Sequence, residues 1–161
     1  MTAHPPDVSE RWEGAVRPIL AALDESLGTD SILLVDARTG ALIGSGVPEG
    51  AAAAVPSLVD SCVSSARRLA SLVAGFEFTS LAHQGDESTI LLREITGEWF
   101  LMVVLREITD AASDRLDAGV VELRRAAGSV QEARGGPGTA VAPGWGGDAE
   151  AEIDRLFDEG A

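Results

Sequence analysis

SILLVDARTGALIGSG, residues 31–46, decides the fold. A strand with one face in water alternates apolar and polar residues. The unbroken apolar run Ile32 to Val35 therefore reads as a strand, Ser31 to Ala37, buried on both faces. Arg38, Thr39 and Gly40 supply a short turn, and Ala41 to Ser45 returns as a second strand. Gly44, Gly46, Pro48 and Gly50 end it in a loop. A hairpin whose first strand is covered on both sides needs layers above and below it, so helices are expected on each face of a sheet.

Working outward, the next element is a helix from about Ala51 or Pro56 to Ala74. At 100° per residue, Val55, Leu58, Val59, Cys62, Val63, Ala66, Leu69, Ala70 and Val73 gather on one side, and Ser57, Asp60, Ser64, Arg67, Arg68 and Ser71 on the other, with Ser61 and Ser65 flanking the polar side. FEFTSLAHQ (76–84) is a strand of mixed polarity, turned by Gly85-Asp86-Glu87 into STILLREI (88–95). Thr96-Gly97 turns the chain again into EWFLMVVLR (98–106), the most apolar strand. The strands 31–37 and 98–106 belong at the centre of the sheet. The strand 76–84 belongs at an edge, open to pairing with another chain because neither proline nor much charge blunts it. A last helix, capped by Asp110 or Ser113, buries Leu116, Val120, Leu123, Ala127 and Val130. Ahead of the first strand, Trp12, Val16, Ile19, Leu20, Leu23 and Leu27 recur at helical spacing. Pro18 within them either opens the helix in its first turn or kinks it.

The organisation is thus a disordered start (1–7), a globular domain (8–133), a Gly/Pro-rich linker (134–147) and an acidic helical segment (148–161). Net charge is −14 over 161 residues. An acidic surface argues against nucleic acid and against anionic membranes. The longest strongly apolar run, Trp99 to Leu105, is too short to span a bilayer, so no integral membrane contact is expected. All twelve basic residues are arginine, so neither a Schiff-base lysine nor a P-loop lysine is available. Cys62 is the single cysteine, which fits a reducing cytoplasm, and no secretory leader is visible at the N-terminus.

The residues offer little chemistry. His4, His83 and Cys62 are too scattered for a zinc site, and no cofactor is implied. Cys62, on the apolar stripe, reads as a small buried hydrophobe. Gly40, Gly44, Gly46 and Gly50 precede no helix at the spacing a phosphate loop needs, and read as turn and bulge glycines. Asp36, before a turn, reads as bonding its own backbone. Arg67 and Arg68 suit a contact to phosphoryl-transfer charge in a partner's site, or plain solvation. In the last segment Ile153, Leu156 and Phe157 stand at i, i+3, i+4 among acidic residues, a pattern for a peptide that folds into a groove, packs on its own domain, or stays disordered.

The hairpin with its LLVD and LI strands, the Ala/Leu/Ser-rich helix ending near Gly75, the Phe78 to Gly85 strand and turn, and the apolar fifth strand together resemble the Roadblock/dynein light chain superfamily, most of all its bacterial MglB-like members, over residues 15–130. The resemblance implies an α+β, profilin-like sandwich: a five-stranded antiparallel sheet in the order 2-1-5-4-3 with helices on both faces. It implies a homodimer through the third strand and the middle helix, which points to Ser57, Ser61, Phe78, Ser80 and Ala82. It also implies binding of a Ras-like small GTPase through the paired middle helices, with Asp60, Ser64, Arg67, Arg68 and Ser71 as contacts. A contribution of Ile153, Leu156 and Phe157 is an expectation of the tail's own pattern. The reading is a homodimeric, cytoplasmic regulator with no active site of its own, stimulating GTP hydrolysis or selecting one nucleotide state. The alternatives are a non-catalytic scaffold of a signalling complex and a small-molecule sensor with a pocket between sheet and helix.

Overall fold

The computed structural model of the chain describes residues 8–73 and 78–134. The expected start 1–7 and nearly all of the expected linker and acidic segment lie outside the described residues. The elements follow as α1 (Val8–Leu27), β1 (Ser31–Asp36), β2 (Leu42–Ser45), α2 (Val55–Leu72), β3 (Ser80–Gln84), β4 (Thr89–Glu94), β5 (Trp99–Leu105) and α3 (Asp110–Arg134). The chain divides into two units between Val130 and Gln131. Of the second, only the helical residues 131–134 are described.

The strands form one antiparallel sheet in the order β2-β1-β5-β4-β3, as expected. Burial explains why β1 and β5 take the centre. Every residue of β1 is buried, and β5 buries Phe100, Leu101, Val103 and Leu105. Their register sets Leu33 beside Met102 and Val35 beside Phe100 on one face, and Ile32 beside Val103 and Leu34 beside Leu101 on the other. Two cores result. Leu33, Val35, Leu92 and Phe100 pack against Val59 and Val63 of α2. Ile32, Leu34, Leu101 and Val103 pack against Trp12, Val16, Leu20 and Leu23 of α1 and Leu116, Val120, Leu123 and Ala127 of α3. Alternation along two strands thus divides their apolar residues between two helical layers. β3 takes an edge and is mostly exposed.

The structure decides one helix start that the sequence leaves open and differs from the sequence at another. α1 runs from Val8 through Pro18. The lost hydrogen bond costs about 3 kcal/mol, but the turns before it bury Trp12 and Val16, each contributing roughly 1.5–3 kcal/mol. α3 is capped by neither Asp110 nor Ser113: Ala112 N–H donates to Thr109 Oγ1 at 3.1 Å, placing a threonine one residue before the helix.

The β1–β2 hairpin depends on glycine at one point above all. Gly44 has φ +142°, and a Cβ there would lie 2.1 Å from the Ile32 carbonyl oxygen. Asp36, buried in the turn, accepts from Arg38 N–H at 2.8 Å, Thr39 N–H at 3.0 Å and the Thr39 hydroxyl at 2.6 Å. Its carboxylate is spent on its own turn, as its position before the turn implies.

Candidate protein-interaction site

α2 is where the sequence pattern and the packing disagree. Its apolar stripe spans roughly 140° of the helix at 100° per residue, wider than the sheet beneath it covers. Val59 and Val63 are buried, and Val55, Ala66 and Ala70 are half-buried. The other flank of the stripe is bare: Leu58 is 62% exposed, Leu69 65% and Leu72 82%. Val73 is exposed as well, and so is Cys62. The reading of Cys62 as a buried hydrophobe is therefore overturned. Periodicity identifies apolar residues but not which of them the neighbouring layer covers. Isolated exposed leucines are ordinary, whereas an aligned row of them marks a contact surface.

Arg67 and Arg68 separate in role. Arg67 pairs with Glu94 at 3.1 Å, donates to the Gly97 carbonyl at 3.5 Å, and lies over the Phe100 ring with its guanidinium carbon 5.5 Å from the centroid. It ties α2 to the β4–β5 turn. Arg68, Asp60, Ser64 and Ser71 are exposed, and the Ser71 hydroxyl donates to the Arg68 carbonyl. Four of the five expected contacts on this helix thus share an open polar face, and the fifth is anchored to its own domain.

Of the residues expected at the dimer contact, Ser57 and Ser61 are exposed on α2. Their hydroxyls turn back onto the carbonyls of Ala54 and Ser57. Phe78 is half-buried against the α2-side core. Ser80 and Ala82 are exposed on the edge strand β3, whose other side pairs with β4 in the register Ser80↔Arg93 to Gln84↔Thr89. Ile153, Leu156 and Phe157 lie outside the described residues. The sequence reading missed the bare flank of Leu58, Leu69 and Leu72. Its signal was present in the width of the stripe.

Among the described residues no group of three His, Cys, Asp or Glu side chains stands close enough to hold a metal ion, and no helix is long and apolar enough to cross a membrane. An open groove of about 280 Å³ runs between α1 and β2, lined by Arg17, Leu20, Asp24, Ile43 and Ser45 among others. It lies on the sheet face opposite α2.

Neither a family model nor a curated protein sequence matches the chain. Solved structures do. MglB of Myxococcus xanthus is similar with a TM-score of 0.64 at 21% identity, covering 71% of this chain and 95% of that one. The gliding protein MglB of Thermus thermophilus is similar with a TM-score of 0.63 at 19% identity, covering 79% and 96%. A Roadblock/LC7 domain from Streptomyces avermitilis is similar with a TM-score of 0.54 at 18% identity, covering 72% and 94%. The chain has the Roadblock/LC7 fold.

Proposed function

We propose that this chain is a homodimeric regulator of a Ras-like small GTPase, acting in the cytoplasm, and that α2 is its contact helix. The observation that carries this reading is the bare flank of α2, with Leu58, Leu69 and Leu72 exposed in a row beside an open polar face that carries Asp60, Ser64, Arg68 and Ser71. The apolar flank and the edge strand β3 form the contact between two copies. The polar face meets the GTPase.

The regulator supplies position and shape, and the GTPase supplies the reacting groups. Arg67 is the residue best suited by type to reach phosphoryl charge, but it is held by Glu94, Gly97 and Phe100. Stimulation by repositioning the GTPase's own residues fits that arrangement. Such an activator must bind the GTP-bound form more tightly than the GDP-bound form, because a ligand of equal affinity for both shifts nothing.

The test is affinity for a Ras-like GTPase encoded beside this chain in its genome, loaded in turn with a non-hydrolysable GTP analogue and with GDP. Preference for the GTP form, weakened by Arg68→Ala and Asp60→Ala, is expected. Equal affinity for the two forms points to a scaffold, and binding to neither refutes the proposal. A small-molecule sensor reading would rest on the α1–β2 groove, which lies on the sheet face away from α2.

A further inference from the structure

β2 is the other edge of the sheet, and the dimer contact proposed above leaves it open. Its residues, Leu42-Ile43-Gly44-Ser45, include no charge and no proline, two of the devices that blunt an edge. Asp36 N–H donates to the Ala41 carbonyl at 2.9 Å, and this bond sets the phase of the ladder with β1. Bonded pairs recur at every second residue of an antiparallel pair, so Leu34↔Ile43 and Ile32↔Ser45 are the bonded ones. The Ser31 hydroxyl donating to the Ser45 carbonyl at 3.3 Å agrees with that phase. Leu42 and Gly44 therefore turn their N–H and C=O groups outward. Gly44 is exposed and has no side chain to stand over those groups.

Beside this edge runs the groove between α1 and β2, lined by Arg17, Leu20, Ala21, Asp24, Ile43 and Ser45 among others. Its floor is apolar, with Leu20 and Ile43 buried. Its charges are unequally satisfied. Arg17 pairs with Glu13 on its own helix. Asp24, at the Ser45 end, accepts from the Thr29 hydroxyl and, at 3.5 Å, from the Ser45 hydroxyl. No ion pair among the described residues includes Asp24.

We propose that the β2 edge and this groove form a docking site for an extended basic and apolar segment of another protein, which adds to β2 as a further antiparallel strand. The segment's residue opposite Gly44 exchanges backbone hydrogen bonds with it. The residues on either side of that one point toward α1. The later of them, opposite Ile43, sets an aliphatic side chain on Leu20 and Ile43. The earlier, opposite Ser45, brings arginine or lysine to Asp24. The motif recognised is thus basic-x-aliphatic. The net charge of −14 draws such a segment by long-range attraction. A second copy of β2 has no basic side chain to offer Asp24, so the charge selects a different chain. The site lies on the sheet face opposite α2 and at the edge opposite β3, and no residue of α2 enters it.

The test titrates the full-length, isotope-labelled chain with the end-capped peptide Thr-Arg-Thr-Val-Thr and follows its amide resonances. Saturable shifts are expected, largest at Leu42, Gly44 and Ser45. Methylating the nitrogen of the central threonine, which faces Gly44, removes its donor and is expected to abolish them. Replacing the peptide's arginine by glutamate is expected to weaken binding roughly tenfold, because it sets like charges together. Asp24→Asn keeps an acceptor for Thr29 and is expected to erase the preference for arginine over glutamate. Equal binding of the two peptides by the native chain overturns the role of Asp24. Shifts centred on α2 or β3, or no saturable shift, overturn the site. Failure of GTPase binding leaves this proposal standing, since the peptide titration reads the β2 edge alone.

Discussion

Gly44 and Asp36 carry the first hairpin by different means, and both are open to test. An added methyl at Gly44 meets the Ile32 carbonyl in a backbone conformation that side chains rarely adopt. Gly44→Ala is therefore expected to lower unfolding free energy by about 3 kcal/mol in urea titration, through strain and displacement of the β1 backbone. Asp36 was legible from sequence because its partners are two and three residues away, and local bonding of this kind follows from local order. Cys62 was not legible in the same way. Its exposure depends on how far the sheet extends beneath α2, a property of strands distant in the chain. Arg67→Ala removes a half-exposed ion pair and a cation–π contact. It is expected to lower stability by up to about 1 kcal/mol in thermal unfolding, while Arg68→Ala leaves the unfolding transition unmoved. Equal effects from the two substitutions would contradict the separate roles assigned to them.

At the scale of elements, α2 meets two different demands with one stripe. Val59 and Val63 hold it to the sheet, and the flank of Leu58, Leu69 and Leu72 stays exposed, the surface proposed for a partner. Leu58→Glu with Leu69→Glu is expected to leave the helical circular dichroism unchanged while converting a dimer to a monomer in sedimentation, since charge placed on an apolar seam must be desolvated to pair. Persistence of the dimer would move the contact elsewhere, with the β3 edge next in line. The sequence located this helix to within a few residues, because an 18-residue amphipathic pattern is long enough to fix its period. It located the strand centre of the sheet as well, since Ile32 to Val35 and Phe100 to Val103 admit no solvent face. The start of α1 was left open by Pro18. Resolving it required the tertiary burial of Trp12 and Val16, which local propensity does not contain. Thr109 escaped as the cap of α3 because Asp110 and Ser113 are equally good capping residues by type.

At the scale of the molecule, the fold places an open edge, β3, and an incompletely covered helix, α2, in one chain whose remaining helices α1 and α3 close the opposite face. In the proposed function, association covers both of these surfaces. A separate contribution to partner affinity is proposed for the acidic segment beyond residue 147. Truncation after Arg134 is expected to weaken GTPase binding through loss of Ile153, Leu156 and Phe157, and unchanged affinity in titration calorimetry would refute that role. The central claim is regulation of a small GTPase, and GTP turnover tests it most directly. Hydrolysis by the genome-neighbouring Ras-like GTPase is measured with and without a stoichiometric excess of this chain. A large acceleration, lost in the Leu58→Glu/Leu69→Glu chain, is the expected result. A rate unchanged by the native chain, with no binding to either nucleotide state, would contradict the account.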